Sequence, residues 1–348
     1  MEALPVIDLN EYLNDPSSAT AQETCKKVLQ VLHETSCLII RDPRVTMQDN
    51  STFIDMMEEY YAQPYDVKCE DARPEAHFQV GATPDGTEVP RDHSKTIEKL
   101  DPNQHPTKPK GADPKWRFFW PVGERPSPDE TKFPVLNHKQ VIPKAFPQWE
   151  NVMDTWANLM LRAVGTVSEM VALGAGLEKD EFTKRMKKAP HLLAPTGSDL
   201  SNSKVENGTV FAGFHYDLNF LTIHGKSRYP GLYIWLRNGT KIPVKVPEGC
   251  LLLQAGKQLE WLTGGYITAG FHEVVVNEAT IEAIQRQKDL GRPLWRVSST
   301  LFSHIASDQV LEPLKSEWKE LDTDNVYTPI LTGDQVQNEL KAINLAKN

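Results

Sequence analysis

Residues 211–225 read FAGFHYDLNFLTIHG and place an imidazole and a carboxylate, His215 and Asp217, within a run of strand-forming residues. Side chains alternate between the two faces of a β-strand, so residues two apart lie on the same face. A carboxylate without a partner on a buried face is unfavourable. The stretch therefore predicts either a cationic partner for this pair or a face that is open to water.

The sequence from about residue 190 onward indicates many short strands separated by turns. The step RNGT, between GLYIWLR and KIPVKV, is typical of a β-hairpin. Several short strands at this spacing are typical of a sandwich or a barrel. The predicted strands are TVFAGFHYD, FLTIHG, GLYIWLR, KIPVKV, CLLLQAG, HEVVV and LWRVSSTLFS.

The sequence before residue 190 predicts helices, two short strands and one long irregular segment. The predicted strands are PVIDL and CLIIRD. The predicted helices are SSATAQETCKKVLQVLHETS, TMQDNSTFIDMMEEYYAQP, the long run that begins FPQWENVMDTW, and the short charged segment EKDEFTKRMKKA. Residues 74–147 are rich in Pro, Gly and charge, with aromatic residues in KWRFFWPVG, and form either a wall or lid over a site or a plain surface loop.

The composition is that of an ordinary globular protein. The 348 residues are 39% hydrophobic and 24% charged, and the net charge of -9 argues against a nucleic-acid partner. The four cysteines show no CxxC spacing and are predicted to be free thiols in a reducing compartment. The amino terminus lacks an apolar signal core, and no run reaches the length of a membrane span. We therefore expect a cytoplasmic protein without a membrane partner.

A third ligand for a metal at His215 and Asp217 should come from another strand. His272 follows a glycine-rich turn and begins an apolar strand, which is a natural position at the mouth of a barrel. Two histidines and one carboxylate suit an iron(II) ion with open coordination positions, and zinc with a bound water is the alternative metal. A hydrogen-bonded surface pair without any metal is the alternative for His215 and Asp217.

A candidate anion receptor lies downstream in GRPLWRVSSTLFSH. Arg296 and Ser298 are two residues apart on a predicted strand, so they face the same way. A guanidinium fork beside a hydroxyl can bind a carboxylate, and a dicarboxylate such as 2-oxoglutarate would fit between this pair and the metal. The alternative is a structural salt bridge from Arg296 to a neighbouring acid.

His215-x-Asp217, His272 and Arg296-x-Ser298, in that order, resemble the iron(II)- and 2-oxoglutarate-dependent dioxygenases, in the subgroup of isopenicillin N synthase and the plant-type hydroxylases. The resemblance covers nearly the whole chain. LPVIDLNEYL resembles the first strand of that subgroup, and HYDLNFLTIHG, PGLYIW and VPEGCLLLQAGKQLEWLTGG resemble its barrel strands in order. The implied fold is mainly β with flanking helices (α+β), with a double-stranded β-helix, or jelly roll, at its core.

The resemblance also implies an organisation and an activity. Residues 1–188 would form an N-terminal helical region that packs on the barrel, 189–315 the jelly-roll core and 316–348 a C-terminal extension. The implied enzyme uses O2 at a non-haem Fe(II) centre and couples the decarboxylation of 2-oxoglutarate, to succinate and CO2, to the oxidation of a small-molecule substrate. The three triad residues would bind iron, and the Arg-x-Ser pair would bind the far carboxylate of 2-oxoglutarate.

The sequence departs from the family pattern in three places. Lys257, in QAGKQ, stands where the family often has aspartate. HLLAPTGSDLS has no tyrosine to contact the oxo acid, and the insert NEATIEAIQRQKDLGR widens the spacing between His272 and Arg296. We expect this insert to extend a hairpin outside the barrel.

The substrate cannot be read from the sequence. Phe78, Asn219, Trp261 and Phe302 are candidates to line its pocket by their positions relative to the triad, and simple packing is the alternative for each. The alternatives for the whole protein are an Fe(II) and O2 oxidase that uses no 2-oxoglutarate, a non-catalytic jelly-roll metal-binding protein, and a zinc hydrolase. A monomer is the default oligomeric state.

Overall fold

The computed structural model describes residues 4–202, 204–315, 318 and 327–343. The helices are α1 (Asn10–Asn14), α2 (Ala19–Thr35), α3 (Met47–Tyr61), α4 (Tyr65–Cys69), α5 (Ser94–Ile97), α6 (Trp149–Gly174), α7 (Lys257–Leu262), α8 (Glu278–Asp289) and α9 (Thr332–Ala342).

The strands are β1 (Val6–Asp8), β2 (Cys37–Arg41), β3 (Gly81–Thr83), β4 (Trp116–Val122), β5 (His191–Leu193), β6 (Thr196–Asp199), β7 (Val210–His215), β8 (Leu221–His224), β9 (Leu232–Trp235), β10 (Lys241–Pro243), β11 (Leu251–Ala255), β12 (His272–Val275), β13 (Trp295–Ser298), β14 (Thr300–Ser303), β15 (Val310–Leu311) and β16 (Ile330–Leu331). Each strand predicted from the sequence is present among them.

Two sheets build the core of the molecule. The large sheet has the order β1-β2-β11-β8-β14-β5-β4-β6-β13, with β3 paired to β4, and the small sheet has the order β10-β9-β12-β7. The pairs β5 and β6, and β13 and β14, are halves of two bent strands that lie side by side. The inner faces of the two sheets line one cavity, as in the predicted jelly roll.

A layer of helices covers the outer face of the large sheet. Helix α6 contacts α2 and α3 on one side and β4, β8 and β14 on the other. Its indoles Trp149 and Trp156 are fully buried, and Trp156 Nε1 donates a hydrogen bond to Ser299 Oγ at 2.6 Å. Ser18 caps α2 and Thr46 forms a capping box on α3, which explains where these two helices begin.

The structure differs from the sequence predictions in two regions. Residues 74–147 contain β3 and β4, and β4 is buried along its whole length within the large sheet, so this segment is only partly irregular. Both faces of β4 are covered, which removes the polar alternation that marks a strand in sequence. Residues 178–189 form successive hydrogen-bonded turns rather than the predicted helix.

The RNGT hairpin forms as predicted, whereas the insert does not extend a hairpin, because the strands that it joins, β12 and β13, lie in different sheets. Gly239 adopts φ +81° in the turn between β9 and β10, a conformation that glycine permits without strain. The insert folds as α8, with Asn277 in a capping box at its start. The four cysteines are free, and the described part of the chain contains no helix that is long and apolar enough to cross a membrane. Part of the predicted extension 316–348 lies outside the described residues, and its described part is Trp318 and the segment 327–343, which carries β16 and α9.

Candidate active site

Strand pairing brings the three predicted metal ligands together. His215 ends β7 and His272 begins β12, and the antiparallel register of the small sheet sets these two residues opposite each other. Asp217 follows His215 by two residues. The candidate ligand atoms of all three lie within 4.8 Å of one another, with Asp217 Oδ1 3.8 Å from His215 Nε2 and 3.9 Å from His272 Nε2.

Hydrogen bonds orient each of these side chains. His215 Nδ1 lies 2.7 Å from the carbonyl oxygen of Gly213, and His272 Nδ1 lies 3.2 Å from that of Gly270. Because a carbonyl only accepts, each Nδ1 donates a proton to it, and Nε2 is the nitrogen that each ring directs at the shared site. Thr222 Oγ1 donates to Asp217 Oδ2 at 2.6 Å, which leaves Oδ1 facing the two imidazoles.

The charge states also suit a metal cation. Burial and the nearby His272 lower the pKa of His215 to about 3, so its ring is neutral at pH 7. Burial disfavours ionisation of Asp217, but the two histidines and the Thr222 hydrogen bond hold its pKa below the usual value. Two imidazole nitrogens and one carboxylate fit the nitrogen and oxygen preferences of a divalent iron ion.

Arg296 supplies a positive charge to the same cavity. It lies on β13, is 6% exposed, and lines the cavity with the triad and Ser298. Within the part of the chain that the structure describes, no acidic side chain pairs with Arg296, and its Nε has no hydrogen-bond partner. Burial lowers the pKa of Arg296 to about 10, which still leaves it charged at pH 7. A buried cation without a counter-ion is the setting for an anionic ligand.

A row of hydrogen bonds joins Ser298 to the centre of the large sheet. Ser298 Oγ lies 2.7 Å from Thr300 Oγ1, Thr300 Oγ1 lies 2.9 Å from His224 Nδ1, and His224 Nε2 lies 3.0 Å from Gln254 Oε1. Burial lowers the pKa of His224 to about 4, so this ring is neutral as well. Thr222 and His224 were not predicted from the sequence, although alternation along β8 places both on the inner face with the triad.

The structure brings two of the four predicted substrate residues to the cavity. Asn219 and Phe302 line it. Phe78 packs instead against an apolar cluster that includes α9, and Trp261 donates from Nε1 to the carbonyl oxygen of Thr328 at 3.1 Å. Position along the chain relative to the triad was therefore a poor guide to the wall of the cavity.

The segment 74–147 and helix α9 form much of that wall, in a cavity of about 220 Å³. Arg91 Nη1 lies 2.5 Å from Glu339 Oε2 and 2.9 Å from the hydroxyl of Tyr216, which donates to Glu339 Oε1 at 3.1 Å. These contacts fasten α9 to the rest of the cavity. The long segment is thus a wall of the site, one of the two possibilities that its composition left open.

The three departures from the family pattern leave the triad in place. The backbone N–H of Lys257 donates to the carbonyl oxygen of Asp217 at 2.8 Å, and its ammonium pairs with Glu260. Where a tyrosine was missing, Leu192, Ala194 and Thr196 line the cavity. The insert α8 lies between β12 and β13 and does not disturb the strands that carry the site.

The sequence model of a protein family, the 2OG-Fe(II) oxygenase superfamily, matches residues 200–305 of the chain. This segment carries the triad and the Arg-x-Ser pair. Residues 200–305 are therefore similar in sequence to the 2OG-Fe(II) oxygenase superfamily. The predicted enzyme class, an Fe(II)- and 2-oxoglutarate-dependent dioxygenase that uses O2, is thereby confirmed. The plant-type subgroup stays a prediction. No curated protein sequence matches this oxygenase significantly.

Solved structures of other proteins share its fold. A Caulobacter crescentus protein assigned to the 2OG-Fe(II) oxygenase family aligns with a TM-score of 0.76 at 20% identity, over 99% of this chain and 100% of that one. A full-length Neurospora crassa protein, in complex with alpha-KG and thymine, aligns with a TM-score of 0.73 at 18% identity, over 97% and 96%. The Arabidopsis thaliana dioxygenase for auxin oxidation 1, in a 2-oxoglutarate complex, gives 0.61 at 17%, over 93% and 99%. The predicted jelly-roll fold is confirmed.

Proposed function

We propose that this oxygenase binds Fe(II) through His215, Asp217 and His272, and binds the far carboxylate of 2-oxoglutarate through Arg296 and Ser298. It couples the oxidative decarboxylation of 2-oxoglutarate, to succinate and CO2, to the hydroxylation or a related oxidation of a small molecule. The single observation that carries the proposal is the buried Arg296, which has no counter-ion in the described part of the chain and shares a cavity with the triad.

The residues of the site have separate tasks. His215, Asp217 and His272 would hold the iron, which would supply the activation of O2. Thr222 and the two carbonyls fix the orientation of the ligand side chains. Arg296 offers a bidentate fork to a carboxylate, and Ser298 adds a hydroxyl donor. Helix α9 and the segment 74–147 limit the access of water to the cavity.

A small-molecule substrate is supported by the size of the cavity, about 220 Å³, with Asn219 and Phe302 on its wall. The structural neighbours include one protein in complex with thymine and one dioxygenase named for auxin oxidation, and both compounds are small molecules. We also propose a monomeric cytoplasmic enzyme with no nucleic-acid partner, divided at about residues 188 and 315 as predicted. The net charge of -9 supports the absence of nucleic acid.

The test begins under anaerobic conditions. Fe(II) and then 2-oxoglutarate are added to metal-free protein, and the weak visible charge-transfer band of the chelate is recorded. We expect a band with the wild type, no iron binding with His215→Ala, and a band with Arg296→Leu only at far higher 2-oxoglutarate concentration. On admission of O2 with substrate, one succinate should form per turnover.

Three results would contradict the proposal. Iron binding without a band would favour an oxidase that takes no 2-oxoglutarate. Iron binding that survives His215→Ala would show that the ligands lie elsewhere. Equal loss of the iron and 2-oxoglutarate requirements in Arg296→Leu would contradict the role given to Arg296.

A further inference from the structure

The cavity contains a second buried arginine that iron and 2-oxoglutarate leave unused. Arg117 lies on β4, is 8% exposed, and stacks its guanidinium over the ring of Phe119 at 3.9 Å from the centroid. The strand register pairs Arg117 with Thr196, and Thr196 with Ser298. Arg117 therefore faces the cavity from the same sheet as the proposed 2-oxoglutarate residues, Arg296 and Ser298. Two strand spacings separate Arg117 from Ser298, which is roughly 10 Å.

The acidic side chains around Arg117 already form ion pairs, although Glu88 Oε1 accepts no hydrogen bond in the described part of the chain. Its Nη1 pairs with Oε1 of Glu88, and Lys115 Nζ lies 3.2 Å from Oε2 of Glu88 and 2.8 Å from Oδ2 of Asp113. The remaining oxygen, Asp113 Oδ1, accepts from the backbone N–H of Gly213 at 3.1 Å. Each carboxylate oxygen of this cluster therefore faces a cation or an N–H group, and Gly213 ties the cluster to β7, two residues before His215.

What the cluster lacks is an acceptor. Arg117 Nε and Nη2 are buried and have no hydrogen-bond partner in the part of the chain that the structure covers. In a bidentate structural ion pair, both oxygens of Glu88 would face two nitrogens of Arg117, but only Nη1 of Arg117 contacts Glu88. The Nε and Nη2 groups form one edge of the guanidinium, the edge that binds both oxygens of a carboxylate. Buried donors without acceptors are rare and unfavourable.

We propose that the substrate is a small carboxylic acid with an apolar body, and that its carboxylate binds the Nε and Nη2 edge of Arg117. The inference rests on the proposed function and names the substrate class of that same site. The apolar body would lie against the nearby hydrophobic wall, which includes Phe119, Leu192, Phe302, Val336, Leu340 and Ile343. A primary amide presents one acceptor and one donor to this edge, so an N–H group would face an N–H group.

The experiment compares matched acids and amides. Wild-type protein is loaded anaerobically with Fe(II) and saturating 2-oxoglutarate, and the charge-transfer band is confirmed first. Phenylacetate, 3-phenylpropionate and hexanoate, each beside its primary amide, are then titrated by calorimetry. We expect at least one acid to bind about 10-fold or more tightly than its amide, a factor that corresponds to about 1.4 kcal/mol.

Variants locate the preference. Arg117→Gln should remove it, and Arg117→Lys, which keeps the charge but lacks the fork, should retain only part of it. Arg286 lies on α8 with 63% of its side chain exposed, and Arg286→Gln should retain the full preference. The comparison of acid and amide on the wild type needs no variant, so it stands even if an Arg117 variant fails to fold.

Four results would overturn the inference: no acid binds, acid and amide bind equally, the preference survives Arg117→Gln, or Arg117→Gln weakens 2-oxoglutarate as much as the acid. The last would assign Arg117 to the cosubstrate. Absence of the charge-transfer band before any acid is added would instead mark failure of the proposed function.

Discussion

Replacing Arg296 by methionine should stabilise the metal-free protein while it disables cosubstrate binding. Burial lowers the pKa of Arg296 to about 10, and no acid in the described residues offsets this. A shift of that size corresponds to about 3 kcal/mol of unfavourable free energy for the charged side chain. Methionine fills much of the same volume without a charge, so Arg296→Met should raise the free energy of unfolding by about 1–3 kcal/mol.

The same substitution should have the opposite effect on 2-oxoglutarate. Each charge-assisted hydrogen bond to a carboxylate contributes about 1.5–3 kcal/mol, and the fork offers two of them. The loss of two such bonds raises the required 2-oxoglutarate concentration by at least about 100-fold. Urea unfolding in the presence of a chelator measures the first effect, and anaerobic titration of the Fe(II) form measures the second.

Arg228→Met is the matched control, because Arg228 is an arginine that has partners. It donates to Glu58 and Asp55, both at 2.7 Å, and Glu58 is buried. Its removal leaves the Glu58 carboxylate without its cation and should lower the stability by about 1–3 kcal/mol. If Arg296→Met destabilises the metal-free protein as much as Arg228→Met does, and leaves the 2-oxoglutarate requirement unchanged, Arg296 is structural and our reasoning fails.

Three further changes test other parts of the site. Thr222→Val removes the donor to Asp217 and should weaken Fe(II) binding about 10- to 100-fold by titration, and an unchanged affinity would contradict its orienting role. Glu339→Gln breaks the ion pair with Arg91 and should speed amide hydrogen exchange in α9 relative to wild type, whereas unaltered exchange would mean that other contacts hold the helix. Burial, and after it the charge of Arg125, lower the pKa of His191 from 6.5 to about 3. Between these two pH values the unfolded chain binds a proton at His191 that the folded protein does not bind. The contribution of His191 to the free energy of unfolding is therefore complete above pH 6.5 and should fall by up to about 1.4 kcal/mol per pH unit towards pH 3. His191→Gln should flatten this slope in urea unfolding, and an identical slope would show that other groups cause the loss.

The cluster proposed to bind the metal could be predicted because strand geometry is local. Alternation with period two places His215 and Asp217 on one face, whatever the rest of the chain does. The turn before His272 marks a strand start, and the register then sets His272 opposite His215. The same rule gives Arg296 and Ser298 a common face. Four of these five residues therefore follow from spacing alone, and His272 follows from spacing and a turn.

Strand β4 shows where this reasoning fails. Its outer face packs on the helical layer, where Phe118 stacks edge-on against Trp149 at 4.8 Å between ring centroids, and its inner face carries Arg117 and Phe119. A strand covered on both faces reads as a continuous apolar run, with no alternation to set its register. Neither the strand nor the inward direction of Arg117 could therefore be predicted from the sequence.

The chemistry of this oxygenase is easier to read than its substrate because the two depend on contacts of different range. The proposed iron ligands lie on or just after the paired strands β7 and β12 of the small sheet, and Arg296 and Ser298 lie on β13 of the large sheet, so local strand geometry places both sets. The substrate wall depends on contacts such as Asp113 with Gly213, 100 residues apart, and Arg91 with Glu339, 248 residues apart. No local pattern encodes such contacts, so Phe78 and Trp261 were proposed for the wall although Arg117 lies on it. Changes in these wall segments can alter the substrate while the metal centre is kept, and the carboxylate preference assigned to Arg117 is therefore separable from the iron chemistry by mutation.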